Sequence, residues 1–184
     1  METNKTKRTW YENYQKTISA KTRNKIYQKI NEVKETQEGL TTSFINSSLN
    51  EIPHFIGVFP QDYLNRISIS KYPFSLIVNL DKSTHDGSHW LAVFVTIKEV
   101  RIFDSLSIVH HVKPKYITKF LVNYRLTHKF YLSPQLQKPS NYTCGFYCLF
   151  FLISCQFLSF NCSLSLFSFD YYHNDKIILD LFPK

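Results

Sequence analysis

Glycine is scarce in this chain of 184 residues, with four in all. No G-x-G-x-x-G and no G-x-x-x-x-G-K-[ST] can be written with them, which excludes a glycine-rich loop cradling phosphates. Cysteine is equally sparse: four residues, all between Cys144 and Cys162, with no C-x-x-C pair among them. A zinc ribbon and a thioredoxin-type motif are therefore unsupported. The first residues contain no apolar h-region, so the chain is read as not secreted. Charge is missing altogether from Pro139 to Phe169. By hydropathy the run CLFFLISCQFLSF resembles a membrane span. Asn141, Gln156, Asn161 and several serines interrupt it, and its uniformly apolar part, Phe146 to Ile153, falls far short of the roughly 20 residues a span requires. A helix apolar all round is also what the centre of a packed domain contains. The membrane span stays as a minor alternative.

What the chain does have is apolar bulk. Hydrophobic residues make up 43%, including 16 Phe and 12 Tyr, enough to bury a core and to exclude global disorder. The formal charge of +8 suits a partner carrying phosphates, such as DNA, and equally an ordinary basic protein. Half of that excess lies in residues 1–38, with nine Lys/Arg against five Asp/Glu. Apolar residues there are few and spaced by three and four (Trp10, Tyr14, Ile18; Ile26, Ile30, Val33), which predicts one or two polar helices. Residues 1–40 are accordingly read as a basic, helical N-terminal extension, and 41–184 as the main domain. TTSFINSSLN reads as a linker or cap region. FSLIVNL at 74–80, WLAVFVTI at 90–97, VRIF at 100–103 and KFYLS at 129–133 predict strands. KYITKFLVNYRL at 115–126 has helical spacing.

Cys144 falls where the proline- and serine-containing loop ends and the apolar helix begins. Unpaired backbone N–H groups and the helix macrodipole at that point favour a thiolate. Gly145 would let a substrate backbone approach closely. Cys148, Cys155 and Cys162 read as small buried apolar residues. A cysteine nucleophile needs a base. Of seven histidines, His89 sits where a glycine-containing turn meets a strand, a place that holds a side chain rigid yet accessible. Asp104 ends the next strand. With a tight turn at Lys98-Glu99, Asp104 falls opposite Val93 and on the same face as His89, but about 13 Å along the ladder. A bulge or a curl of the 86–89 loop must then close the gap. In a triad scheme His89 takes the Cys144 proton and Asp104 orients the imidazole. The Cys144 N–H and the side-chain amide of Gln137 would stabilise the oxyanion.

The order GSHW, apolar strand, FDSL, then Q-x6-C-G resembles the adenain-like cysteine proteases, whose wider clan includes the SUMO proteases. The Gln-to-Cys gap of seven and the segment FIGVFPQDYLN look like the viral branch. Asp104 followed by Ser-Leu is similar to the SUMO-protease branch. The mixture, with the C-terminal YYHNDKIILDLF, looks like the proteases of Maverick/Polinton elements and adintovirus-like viruses. The resemblance covers 55–184. It implies an α+β, papain-like core, with a small antiparallel sheet packed on a central helix that opens at Cys144. It also implies a monomeric endopeptidase acting on virion or capsid precursors in the nucleus or cytoplasm of a host cell and in the virion. The catalytic set would be His89, Asp104, Gln137 and Cys144, with no metal and no cofactor required for the chemistry, and with DNA as an activator. An activating peptide held by a disulfide is not expected, since no cysteine lies between Asp104 and Cys144. Two alternatives stay open: a SUMO- or ubiquitin-directed isopeptidase of the same clan, and a DNA-binding virion protein with a vestigial site.

Overall fold

The computed structural model describes residues 18–33, 40–67, 69, 71–85, 87–112, 114–123 and 128–182. Seven α-helices are described: α1 (Ala20–Val33), α2 (Thr42–Leu49), α3 (Ile108–Val112), α4 (Lys115–Val122), α5 (Cys144–Ser154), α6 (Phe160–Leu164) and α7 (Tyr171–Leu181). Five strands, β1 (Phe55–Pro60), β2 (Phe74–Asn79), β3 (Trp90–Val95), β4 (Glu99–Phe103) and β5 (Lys129–Leu132), form one sheet in the order β1-β2-β3-β4-β5. The class is α+β. The sheet is mixed rather than antiparallel: β2, β3 and β4 are antiparallel neighbours, while β1 on β2 and β5 on β4 run parallel. The hairpin preference that governs the centre does not reach the edges, because helical segments precede β2 and β5 and return the chain in the same direction.

Alternation along the strands sorts their side chains between two cores. Ile77, Trp90, Ala92 and Phe103 join the cores of α1, α2, α5 and α7. Leu76, Val78, Leu91, Val93, Val95, Val100 and Ile102 face the other way, onto Leu64, Val109, Ile117 and Phe120. Both faces of the central strands are therefore covered, which is why FSLIVN and WLAVFV read as unbroken apolar runs. The phenylalanines fill the layer between β4 and α5: the Phe103 and Phe151 rings stack at 4.4 Å, and Phe167 packs against Phe103, Tyr147 and Phe150. The uncharged run 139–169 folds into α5, α6 and the turns around them. No helix among the described residues is long and apolar enough to cross a membrane.

Two segments behave differently from their composition. Helix α1 is not a detached polar extension. Ile26 and Ile30 are buried in the same core as α5. Their spacing of four puts both on one face, which finds an apolar surface to cover. The first half of the proposed extension, residues 1–17, lies outside the described residues. Of the segment expected to be a linker or cap region, Thr42–Leu49 is helix, with Thr41 and Asn50 as its caps. Thr41 caps it by accepting the Phe44 N–H at 3.1 Å, and Ile45 and Leu49 are fully buried. The Ser47 and Ser48 hydroxyls bond back to the Phe44 carbonyl, so the polar residues cost the helix little.

Candidate active site

The hairpin between β3 and β4 decides the register of the site. Thr96 N–H donates to the Glu99 carbonyl at 2.8 Å, and Val95 pairs with Val100, so the turn is Ile97-Lys98, one residue earlier than its composition suggested. The Thr96 hydroxyl fixes it by accepting the N–H groups of Lys98 and Glu99, while Ile97 points into solvent. That one-residue difference moves the pairing by two. Ala92 lies opposite Phe103, which carries Asp104 on to the level of Leu91, two positions from His89. The gap inferred from the sequence is thus halved to roughly 7 Å, and side chains span it without a bulge. His89 Nε2 and Asp104 Oδ1 are 2.7 Å apart, both side chains buried.

The Asp104 carboxylate is held from behind. Its Oδ1 accepts the Leu106 N–H at 3.1 Å and its Oδ2 the Val109 N–H at 2.8 Å. Ser107, at φ 57°, bends the chain in the left-handed region so that these donors converge. The Ser133 hydroxyl brackets the Asp104 backbone, accepting from its N–H and donating to its carbonyl. On the other side, the loop before His89 is shaped by Asn79 and Asp81. Asn79 Oδ1 accepts the Asp81 N–H, and the Asp81 carboxylate accepts the Ser88 N–H. The Leu80 N–H pins the His89 carbonyl at 2.9 Å. Gly87 lies under Asn79 with φ +90°, and a Cβ there would sit 1.9 Å from Asn79 Nδ2. Gly87→Ala is expected to cost about 1–3 kcal/mol through strain and displacement of Asn79, read as a lowered urea midpoint.

Burial alone would lower the His89 pKa, but the hydrogen bond and charge of Asp104, with the nearby Cys144, outweigh it and raise it to about 9. Nε2 is taken by Asp104. The other ring nitrogen, Nδ1, is buried without a hydrogen-bond partner among the described residues, which leaves it for the Cys144 sulfur. A folded-state pKa above the ordinary 6.5 stabilises the fold fully below pH 6.5 and progressively less as pH rises through about 9. The shift corresponds to about 3 kcal/mol. Urea unfolding at pH 7 and pH 10 should show a larger loss in the wild type than in His89→Gln.

Cys144 opens α5 with its side chain nearly buried. Thr143 precedes it without a side-chain cap, so N–H groups of the first turn remain for another acceptor. The role expected for Gly145 changes. Its Cα is covered by protein, since a Cβ there would meet Leu40 Cδ2 at 3.1 Å and Trp90 Cδ1 at 3.4 Å. The glycine lets α5 approach Leu40 and Trp90 rather than admitting a substrate backbone. Burial, reinforced by the charges of Cys144 and Asp104, pushes the Cys148 thiol well up, and burial pushes Cys155 up to about 12. Both are held as neutral thiols.

Gln137 is fully buried. The Ser105 hydroxyl donates to its Oε1 at 2.7 Å, and the backbone N–H groups of Leu136 and Gln137 both donate to the Ser105 carbonyl. With Oε1 fixed, Nε2 donates to the Asn141 carbonyl and has one hydrogen uncommitted among the described residues. The structure therefore pairs His89 directly with Asp104, holds Cys144 near enough to influence the His89 pKa, and ties Gln137 to the residue that follows Asp104. Sequence reasoning missed Ser105, Ser133, Asn174 and Asp175. The signal for the last two was legible: they share the buried stripe of α7 with Ile178, where polar residues demand partners.

No family model matches the chain, and no curated protein does. Solved structures to which the chain is similar include the following three. The ASFV pS273R protease is 21% identical, with 64% of this chain and 47% of that one covered, at a TM-score of 0.38. HopZ1a in complex with IP6 and CoA is 13% identical, with 82% and 54% covered, at 0.39. The SUMO protease Ulp1, with its catalytic cysteine oxidised to a sulfenic acid, is 12% identical, with 89% and 95% covered, at 0.38. The chain thus spans about half the length of the first two. None of the three is close enough to carry over a residue's role.

Proposed function

We propose that the protein is a cysteine endopeptidase in which Cys144 is the nucleophile, His89 its base and Asp104 the orienting acid. The observation that supports this best is the buried His89–Asp104 pair, with Nδ1 of the ring left to a cysteine at a helix N-terminus. The Cys144 sulfur attacks the scissile carbonyl carbon, and the resulting oxyanion takes hydrogen bonds from the Cys144 N–H and Gln137 Nε2. As the C–N bond breaks, the amine leaves with the proton of the His89 imidazolium. Water, deprotonated by His89, then cleaves the thioester and restores the thiol. Side chains and water suffice for these steps.

The substrates proposed are virion or capsid precursors, on the resemblance of GSHW, FDSL and Q-x6-C-G to the adenain-like proteases. Host-cell nucleus or cytoplasm and the virion would be the setting. DNA is proposed as an activator on the +8 charge. The test is mass spectrometry of the protein co-expressed with candidate capsid precursors. New termini that depend on Cys144 would support the reading. Cleavage of SUMO-aminocoumarin without any such termini would replace it by the isopeptidase alternative. Salt-sensitive DNA binding without thiol reactivity would favour the vestigial site.

A further inference from the structure

We propose that Asp175, aided by Asn174, is the positioning residue that sets the oxyanion side of the site from the C-terminal helix; this rests on the endopeptidase reading above. The Asp175 carboxylate is 3% exposed. Among the described residues it forms no ion pair with a lysine, arginine or histidine. The Lys138 ammonium, the cation nearest in sequence to its contacts, lies over the Tyr172 ring instead. A buried carboxylate without a cation is expensive and persists only when neutral donors surround it. Four do: the Lys138 N–H at 3.2 Å, Asn141 Nδ2 at 2.6 Å, the Thr143 hydroxyl at 3.5 Å and the Tyr147 hydroxyl at 2.9 Å.

All four donors belong to one stretch, 138–147. The two groups that would hold an oxyanion, Gln137 Nε2 and the Cys144 N–H, lie at one end of that stretch and inside it. Asp175 fastens the chain at three points between or beside them and once more a helical turn into α5. Asn174 fastens the approach, donating from Nδ2 to the Leu136 and Ser168 carbonyls. Burial, with the Asp175 charge added, keeps the Tyr147 phenol a donor by pushing its pKa far above the usual range. The other edge of the loop is held by Ser105. The separation of the two oxyanion donors is therefore set between β4 and α7, while the His89–Asp104–Cys144 contacts need neither residue of α7.

That separation of duties gives the test. Alkylation of Cys144 by iodoacetamide needs the thiolate and no oxyanion hole. Acylation by p-nitrophenyl acetate needs both. In the full chain, Asp175→Asn is expected to slow Cys144-dependent acylation about 10- to 100-fold. The alkylation rate should stay within about threefold, at the same ratio over pH 6–9. Should Asp175→Asn fail to fold, Asn141→Ala removes one donor to the carboxylate, keeps the Asn141 carbonyl, and should show the same dissociation of the two rates. Both rates falling together, or neither falling, overturns the proposal. A wild type that acylates normally while both variants keep its ratio sinks this inference alone. A wild type without Cys144-dependent acylation sinks the endopeptidase reading and this inference with it.

Discussion

Replacing Cys144 by alanine is expected to lower kcat/KM for peptide cleavage by roughly ten-thousand-fold or more, with the fold intact. The substitution removes a single sulfur from a side chain that is nearly buried. Its effect on stability should stay within about 1–2 kcal/mol. His89→Ala should be as damaging to the rate, but it would strand the fully buried Asp104 carboxylate, a change that costs about 3–5 kcal/mol. His89→Gln is the better companion, since its amide can still donate to Asp104. Peptide hydrolysis followed beside circular dichroism separates loss of chemistry from loss of fold. Wild-type rates in Cys144→Ala, or selective labelling of Cys162 by a thiol probe, would reject the nucleophile assignment.

Asp104→Asn is expected to reduce the rate by roughly 10²- to 10⁴-fold and to move the basic limb of the pH–rate profile. In the wild type the imidazolium persists until about pH 9, since Asp104 and Cys144 together outweigh the burial that opposes it. Losing the Asp104 charge lowers the His89 pKa, so activity should fall at lower pH than in the wild type. The asparagine also meets a conflict of donors. Both carboxylate oxygens accept backbone N–H groups, from Leu106 and Val109, and one of them accepts from His89 as well. An amide nitrogen in either place faces a donor, which should lower stability by about 1–3 kcal/mol. A pH–rate profile with its basic limb unmoved would show that Asp104 does not set the charge of His89.

How much of this was legible in the sequence differs from residue to residue. The strands FSLIVN, WLAVFV and the chain through VRIF were readable as apolar, β-branched runs, and helix α5 as an uncharged apolar segment. The candidate residues were readable because each stands at a boundary: His89 before a strand, Asp104 after one, Cys144 where a loop becomes a helix. What could not be read was distance. A single threonine, Thr96, draws the β3–β4 turn one residue forward, and the His89–Asp104 separation changes by two positions on the ladder. Likewise the serines of 41–50 read as a linker or cap region, and only a buried surface waiting for Ile45 and Leu49 makes Thr42–Leu49 a helix.

By itself, then, the sequence determined which residues can do chemistry and in what order they meet the chain. It also determined that the centre would be apolar on both faces, because periodicity and composition are properties of neighbours along the chain. The tertiary structure decided the rest. It placed α1 in the core, parallel strands at both edges of the sheet, and Leu40 and Trp90 over Gly145. It also closed Asp175 on the loop before Cys144, across more than thirty residues of sequence. The reason is physical: a buried carboxylate takes its hydrogen bonds from whatever the fold brings within about 3 Å, and no local pattern records which segment that will be.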